Sequence, residues 1–306
     1  MSSSPLDRFI KPWKINTQDR TVVYFDTEDD TKWKGPFYFI QGADCQFGLI
    51  QREIEGNTKP GWEKEKKLSE LAVEKINRLN PKPKFFVICG DLCDAFYDKE
   101  PEVREAQDRD FKRIFGKLDP DIPLVCICGN HDVGDNPTEK SVYRYTKTFG
   151  EDYFKFWAGG VYFIALNSQY YMNAELVRRF ALEQDKWLDE QLEVASILER
   201  PTIMFQHIPW FLTNPDSKEN NYFEIKHDLR KKMMDKFVSS GVKYVFCGHY
   251  HRNAGGKYKS LEVVTTSAIG GQLGNDKSGM RIVKVYADKV EHQYHDLETF
   301  PETVVL

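Results

Sequence analysis

Short runs of consecutive apolar residues recur along the chain and predict buried β-strands. The runs are nearly continuous and show little alternation with polar residues, which indicates sheets that are covered on both faces. The clearest runs are FYFI 37–40, KFFVIC 84–89, PLVCIC 123–128, VYFIAL 161–166, TIMFQ 202–206 and KYVFC 243–247.

Helical periodicity separates many of these runs. Apolar residues fall on one helical face within residues 62–80, 105–118, 175–199 and 228–240. The first of these helices is stopped by the sequence NPKP, and the last ends at Gly241. The tail alternates over residues 280–297 and predicts an antiparallel hairpin that turns near Asp288.

The order of these elements predicts the fold class. Strands that alternate with helices are typical of βαβ units and of layered α/β architecture. No internal repeat and no long linker divides the chain, so we expect one catalytic domain at residues 35–306 after an N-terminal arm at residues 1–34. Two long polar loops, at residues 51–61 and 213–221, are candidates for the border of a substrate cleft.

Composition and charge narrow the functional classes. The 306 residues carry a net charge of -4 without a long block of Lys or Arg, which argues against nucleic acid as the main partner. No apolar segment is long enough to span a membrane, and the N-terminal sequence lacks a signal-peptide core, so we expect a cytosolic protein. The six cysteines lie mostly in apolar runs, where reduced and buried thiols are expected. The oligomeric state stays open.

Polar residues follow five of the predicted strands, mostly beside a glycine. The second, third and last of these strands lead into the sequences GDLCD, GNHD and GHYH. Because the carboxyl ends of parallel strands meet at one edge of a sheet, we expect these side chains to lie close together. The residues gathered at that edge are Asp44, Asp91, Asn130, His207, His249 and His251.

The mixture of carboxylate, amide and imidazole groups at this edge is typical of a metal site. These ligand types suit Mn²⁺, Fe or Zn²⁺. Six ligands are more than one catalytic metal needs, and they fit two metals about 3.5–4 Å apart, as used for displacement at phosphorus. Taken singly, an Asp after a strand is usually a helix cap or a turn former. The joint pattern at five strand ends favours the metal site.

The order of these motifs resembles the calcineurin-like metallophosphoesterase superfamily. The family pattern is D-x-H, GD-x-x-D/N, GNH-D/E, a lone H and GH-x-H. Here it reads DCQ, GDLCD, GNHD, QHIP and GHYH, within about residues 36–251. The resemblance implies a four-layer α/β/β/α sandwich with a dinuclear metal site at the carboxyl ends of the strands. It implies two divalent metal ions, and their identity among Mn, Fe, Zn and Mg stays open.

The resemblance also implies a role for each residue. Asp91 bridges both metals, and the other family ligands divide between the two ions: Asp44 and His251 on the first, and Asn130, His207 and His249 on the second. His131 faces the substrate as a proton donor, and Asp94 orients its ring. Asp132 is expected to be structural. Because His249 and His251 are two residues apart, a distorted loop or the spacing of the metals must let them serve two sites.

Charge determines the expected mechanism. A phosphomonoester dianion repels hydroxide, and two divalent cations screen this repulsion and lower the pKa of a bound water. A hydroxide that bridges the metals then attacks phosphorus in line, while the metals and His131 stabilise the developing charge. No phosphoenzyme is needed on this route.

Position 46 departs from the family pattern, because Gln46 stands where the family usually has His. An amide oxygen is a harder and weaker ligand than an imidazole, and it suits Mn²⁺, Mg²⁺ or Ca²⁺ better. Gln46 either binds the first metal through its side-chain oxygen, or hydrogen-bonds a metal-bound water, or leaves the first metal site largely lost. Because Asp44, Asp91 and His251 remain, we expect the first two roles together.

Three stretches resemble a group of cytosolic serine/threonine-protein phosphatases within this superfamily. They are WKGPFYFIQGADCQFGLI, NPKPKFFVICGDL and GHYHRNAGG. The resemblance implies a phosphoprotein substrate, with an Akt-type protein kinase as one candidate. The expected enzyme is therefore a metal-dependent phosphomonoesterase. A phosphodiesterase or nucleotidase on the same site is an alternative, and so is a weakly metallated, non-catalytic binding module.

Overall fold

Two β-sheets and their flanking helices make up the computed structural model, which describes residues 13–25 and 27–306. The strands are β1 Thr17–Gln18, β2 Thr21–Val22, β3 Phe37–Gly42, β4 Phe86–Cys89, β5 Leu124–Ile127, β6 Phe154–Ala158, β7 Val161–Ala165, β8 Thr202–Phe205, β9 Val242–Cys247, β10 Ala254–Tyr258, β11 Leu261–Thr265, β12 Gly279–Val285 and β13 Val290–Asp296. The α-helices are α1 Glu63–Asn77, α2 Pro101–Phe115, α3 Asn130–Val133, α4 Glu139–Thr148, α5 Gln169–Met172, α6 Arg178–Ser196 and α7 His227–Ser239. Shorter helical turns are the 3₁₀ turns Val23–Phe25 and Glu28–Thr31 and the π-helical turn Ile50–Ile54.

The predicted elements agree with this arrangement. All six apolar runs form strands, the four periodic segments overlap α1, α2, α6 and α7, and the predicted hairpin is β12–β13, whose turn includes Asp288. Helix α2 begins four residues before its predicted segment, and strands β1, β2, β6, β10 and β11 were not predicted. Gly255 and Gly256 occupy β10, which explains why hydrophobicity alone did not reveal it.

The sheet topology corrects one expectation about the strand ends. The smaller sheet has the order β13-β12-β3-β4-β5, and the larger has β1-β2-β6-β7-β8-β9-β11-β10. The strands β3, β4 and β5 run parallel in the smaller sheet, and β7, β8, β9 and β11 run parallel in the larger one. The five motif-bearing strands therefore do not share one sheet edge. Three belong to the smaller sheet and two to the larger, and their carboxyl ends meet because the sheets pack against each other.

Aromatic side chains fill the space between the sheets. Phe39 and Phe85 stack with ring centroids 4.7 Å apart, and Phe163 and Phe205 stack at 5.7 Å. All four rings are fully buried, and rings packed in this way stabilise a core beyond the area that they bury. This layer fixes the two sheets relative to each other, and with them the strand ends that carry the motifs.

Helices cover the outer faces of both sheets. Apolar residues of α1 and α2, including Ile76 and Phe111, pack on the smaller sheet in one core cluster. Residues of α6 and α7, including Leu188 and Phe237, pack on the larger sheet in another. The four-layer α/β/β/α sandwich is thus confirmed.

The described part of the predicted N-terminal arm joins the larger sheet. Strands β1 and β2 form a hairpin, and Thr21 of β2 pairs with Lys155 of β6. Val22 and Phe25 are buried between the sheets. Residues 1–12 of the predicted arm, which include most of the N-terminal sequence considered above, lie outside the described residues.

Two further expectations concern cysteines and membrane segments. All six cysteines are free and buried, as predicted. Burial raises the pKa of each thiol, which keeps these side chains protonated and unreactive. Across residues 13–25 and 27–306, no helix has the length and apolar character needed to cross a bilayer.

Candidate metal centre

Donor atoms from both sheets converge on the ring of His207. Its Nε2 lies 3.2 Å from Asp91 Oδ2, 3.1 Å from Asn130 Oδ1 and 3.1 Å from His249 Nδ1. Asp91, His207 and His249 each offer a ligand atom, and these atoms all lie within 4.8 Å of one another. All four side chains are buried. The fold therefore brings together residues from four of the five predicted strand ends.

Backbone carbonyls set the tautomers of the three histidines. Cys89 O lies 2.8 Å from Nδ1 of His207, and Gly271 O lies 2.6 Å from Nδ1 of His251. The carbonyl oxygen of Tyr222 lies 3.0 Å from Nε2 of His249. Because a carbonyl oxygen only accepts, we assign the proton to the nitrogen that contacts it. The second nitrogen of each ring then faces the centre of the site, as in metal-ligating histidines.

This arrangement places several hydrogen-bond acceptor atoms close together, and a positive charge among them stabilises it. Burial alone would lower the pKa of His207, but the Asp91 and Asp44 carboxylates raise it to about 9, because they favour a positive charge at this point. Burial and His207 lower the pKa of His249 to about 3, which leaves its inward nitrogen as a free lone pair. Carboxylate, amide oxygen and neutral imidazole form a donor set that fits a divalent cation.

A second group of donors surrounds Asp44. Its Oδ1 lies 3.4 Å from His251 Nε2, and its carboxylate accepts the backbone N–H of His249 at 2.9 Å. The Asp44 side chain is fully buried, and this burial raises its pKa well above the usual range. A buried carboxylate of this kind is stabilised by a nearby cation.

Gln46 presents its side-chain oxygen without a partner. Its Nε2 donates to Asp94 Oδ1 at 3.2 Å, which fixes the orientation of the amide. Its Oε1 is buried and has no hydrogen-bond partner within the described part of the chain. A buried acceptor without a partner, on a residue whose backbone N–H donates to the carbonyl oxygen of Asp91 at 2.9 Å, fits either a direct contact with a cation or a bound water.

His131 stands beside these groups on the first turn of α3. Its backbone N–H donates to Asp91 Oδ1 at 2.9 Å, and its Nδ1 lies 2.6 Å from the carbonyl oxygen of Asp94. The Asp94 carboxylate is farther from the ring, at 3.5 Å, and instead pairs with Arg52 at 2.8 Å. Phe96 stacks on the imidazole with centroids 4.5 Å apart. Asp94 therefore lies beside His131 as predicted, with its carbonyl oxygen as the nearer contact.

A buried ion-pair network joins residues 129–132, which include His131, to α2. Arg104 of α2 pairs with Asp132 at 2.7 Å and with Asp108 at 2.8 Å, and it donates to the carbonyl oxygen of His131 at 2.6 Å. Asp132 also accepts the backbone N–H of Gly129 at 2.9 Å. Asp132 thus holds the GNHD segment in place, which is the structural role expected for it.

The backbone at these strand ends adopts the left-handed conformation. Five site residues have positive φ angles: Asp44 at 52°, Gln46 at 35°, Asp91 at 50°, His249 at 70° and His251 at 52°. Residues other than glycine rarely adopt this conformation, and strain of this kind clusters at functional sites. A distorted loop, one of the two arrangements considered for His249 and His251, is present here as two left-handed residues.

A cavity of about 270 Å³ opens above the donor cluster. Besides residues of the donor cluster, its lining includes Leu49, Glu53, Tyr222 and Phe223. Glu53 belongs to the polar loop predicted at the border of a cleft, and Tyr222 directly follows the second predicted loop. Lys and Arg are absent from the described residues that line the cavity.

Motif spacing did not identify two residues that contact the site. Arg52 pairs with Asp94, and Tyr222 contacts both Asn130 and His249. The only signal for either residue was its place in or beside a long polar loop. Their partners are 27 to 92 positions away in the chain, so no local pattern connects them.

The fold and the donor cluster together define a metallophosphoesterase. A family model described as Calcineurin-like phosphoesterase matches residues 61–253. The chain belongs to this family, whose members use divalent metal ions, and it is a phosphoric-ester hydrolase.

The relatives agree with this assignment. The human serine/threonine-protein phosphatase CPPED1 is 50% identical over 287 residues, which cover 92% of this chain and 91% of the relative. A dimetal phosphatase from Danio rerio (LOC 393393) has a similar fold, with a TM-score of 0.62 and 15% identity over 85% of this chain and 96% of that one. GAP50, the anchor in the inner membrane complex of Plasmodium, has a TM-score of 0.59 and 12% identity over 88% of this chain and 87% of that one. The two structural likenesses concern the fold alone.

Proposed function

We propose that this chain is a metal-dependent serine/threonine-protein phosphatase that acts in the cytosol on phosphoproteins. The observation that carries the proposal is the cluster of inward-facing donors around His207, beneath an open cavity. The identity to the human phosphatase over most of both chains supports the substrate class. The cytosolic location and an Akt-type protein kinase as the substrate rest on the sequence resemblance.

The donor set supports two metal ions. We propose that Asp91 would be shared by both ions and that the other residues would divide between them: Asp44, Gln46 and His251 for the first, and Asn130, His207 and His249 for the second. The metals supply positive charge and Lewis acidity at the phosphoryl group. Because the cavity has no Lys or Arg among its described lining residues, the chain itself offers little charge to the substrate dianion.

The chain's own residues provide proton transfer and favour direct attack by water. The contact between Nδ1 of His131 and the carbonyl of Asp94 leaves Nε2 available to hold a proton for the leaving alcohol. No Ser, Thr or Cys occurs among the described residues that line the cavity. We therefore propose that water attacks phosphorus directly and that no phosphoenzyme forms.

A substrate comparison tests this function. Purified protein is assayed with Mn²⁺ against a phosphoserine peptide, a phosphorylated Akt-type kinase, a cyclic nucleotide and a phosphodiester. We expect hydrolysis of the phosphopeptide, its loss in EDTA and its recovery when Mn²⁺ is returned. Turnover of diesters or nucleotides alone would replace the proposal with the phosphodiesterase or nucleotidase alternative.

A non-catalytic binding module is the second candidate, and Gln46 is the observation that favours it. The amide oxygen is a weaker ligand than the usual imidazole, so the first metal is held less firmly. The complete set of remaining donors and the accessible His131 favour catalysis instead. Phosphatase activity of the metal-loaded protein separates the two candidates.

Gln46→His tests how far position 46 limits the site. We expect Zn²⁺ to bind about 10-fold or more tightly, because imidazole is a better ligand for zinc than an amide oxygen. Metal content after dialysis and kcat with the phosphopeptide are measured together. Gln293→His, at an exposed position of β13, is the matched control. Equal zinc content in both variants would show that Gln46 does not limit the first metal.

A further inference from the structure

Tyr222 contacts two of the proposed ligands of the second metal with two different atoms. Its carbonyl oxygen lies 3.0 Å from Nε2 of His249, and its phenol oxygen lies 2.7 Å from Nδ2 of Asn130. Its ring also lies 4.8 Å from the His249 ring, measured between centroids. One residue outside the family motifs therefore touches both ligands from the side that faces the cavity.

The phenol and the Asp135 carboxylate together determine which end of the Asn130 amide faces the metal centre. Nδ2 of Asn130 donates to the Tyr222 hydroxyl and to Asp135 Oδ1 at 2.9 Å. With both donors used in this way, Oδ1 is turned inward, 3.1 Å from Nε2 of His207. A flipped amide would present N–H groups to the centre, and these cannot bind a cation.

The carbonyl oxygen of Tyr222 likewise determines which ring nitrogen of His249 faces the metal centre. It accepts from Nε2, so Nδ1 is the nitrogen left to face His207 and Asp91. Partners of this kind fix the tautomer and the ring orientation of a ligating histidine. The phenol thus directs Oδ1 of Asn130, and the carbonyl directs Nδ1 of His249, toward Nε2 of His207.

A buried ion pair holds the segment that carries Tyr222. Arg230 is fully buried, pairs with Glu224 at 3.0 Å and donates to the carbonyl oxygens of Ser217 and Ile225 at 3.1 and 2.8 Å. Glu224 also accepts the backbone N–H of Leu212 at 3.0 Å. The segment 212–225 is therefore anchored at both ends, although Tyr222 itself is half exposed at 49%.

We propose that Tyr222 is a positioning residue of the metal centre, which orients Asn130 through its phenol and His249 through its carbonyl. The affinity for the second metal then depends on the segment 212–225 being in place over the site. This inference rests on the ligand assignment made under the proposed function. It adds a residue that the motifs do not contain.

Tyr222→Phe removes the phenol and leaves the carbonyl. Metal-free protein is titrated with Mn²⁺ by calorimetry, and we expect one of two binding events to weaken about 10-fold to 100-fold, as when the outer partners of metal ligands are lost. The melting temperature in EDTA should not change, whereas the stabilisation produced by Mn²⁺ should shrink. Tyr143→Phe, at a 63% exposed position on α4, is the control and should behave as the wild type.

Asn130→Asp, combined with Asp135→Asn so that two carboxylates do not face each other, provides a rescue test. Both terminal atoms of Asp are oxygens, so the phenol is no longer needed to select the inward atom. In this background Tyr222→Phe should change Mn²⁺ affinity less than about threefold, the behaviour of two mutations that act through the same contact. An equal loss in both backgrounds would overturn the orientation role.

The outcomes separate this inference from the proposed function. Unchanged Mn²⁺ affinity in Tyr222→Phe, with a raised KM for the phosphopeptide, would overturn the inference and make Tyr222 a substrate contact. A lower melting temperature in EDTA with unchanged affinity would overturn it in favour of a role in folding. Wild-type protein that binds no Mn²⁺ and hydrolyses no phosphoester would overturn the proposed function, and the inference with it.

Discussion

Asp91→Asn is expected to abolish metal binding and to reduce phosphatase activity by about 1,000-fold or more, since one lost electrostatic stabiliser alone costs about 10²–10³. The Asp91 carboxylate contacts His207 Nε2 and the backbone N–H of His131, so it joins the donor cluster to the segment that faces the substrate. Burial alone would raise its pKa, but His207, His131 and His249 hold that pKa well below the usual range, so the group is a carboxylate. Metal content and kcat with the phosphopeptide are the measurements.

The control for this variant is Asp19→Asn. Asp19 has a φ of 51°, which matches the 50° of Asp91, and it lies exposed in the β1–β2 turn. Asn adopts the left-handed conformation readily, so neither replacement strains the backbone. The control should keep its metal and its activity. Full activity in Asp91→Asn would contradict the dinuclear site.

Arg104→Met is expected to lower the free energy of unfolding by about 3–5 kcal/mol, because it leaves buried carboxylates without their partner. Arg104 is 1% exposed and pairs with Asp108 and Asp132. The His131 carbonyl loses a donor in the same variant, so we also expect a lower kcat. Denaturant unfolding of the metal-free protein measures the change in stability.

Arg113→Met, on the same helix, is the matched control. Arg113 is 35% exposed and pairs with Glu70 and Asp110 on the surface, where an ion pair contributes about 0–1 kcal/mol. The comparison holds the residue type and the helix constant and changes only the burial of the pair. Equal losses of stability in the two variants would contradict a special contribution from the buried network.

The sequence predicted those features that depend on local pattern. Apolar runs define the central strands because residues buried on both faces must be apolar along the whole strand. The ligand candidates were visible because a polar residue directly after such a run is expensive to bury without a partner. Asp44, for example, is fully buried at the end of β3.

Features that depend on distant partners were not predicted. Arg104 reads as an ordinary charged residue of a helix, and only the fold places it against Asp132, 28 positions away. Tyr222 lies 92 positions from Asn130, and its effect requires the segment 212–225 to fold back over the site. Local pattern also could not show that the motif-bearing strands are divided between two sheets. Strands in one sheet and strands in two packed sheets have the same apolar runs.

The left-handed backbone at five site residues has a consequence for protein engineering. Each such residue costs about 1–3 kcal/mol of strain, and glycine would remove much of it. Replacing His249 or Gln46 by glycine would relieve that strain in the metal-free protein, but it would leave a cavity at a buried position and delete a proposed ligand. A screen for heat resistance without metal places no selection on these ligands, which is the usual conflict between stability and activity. Thermostable variants of this enzyme are better selected with the metal bound and with turnover as part of the screen.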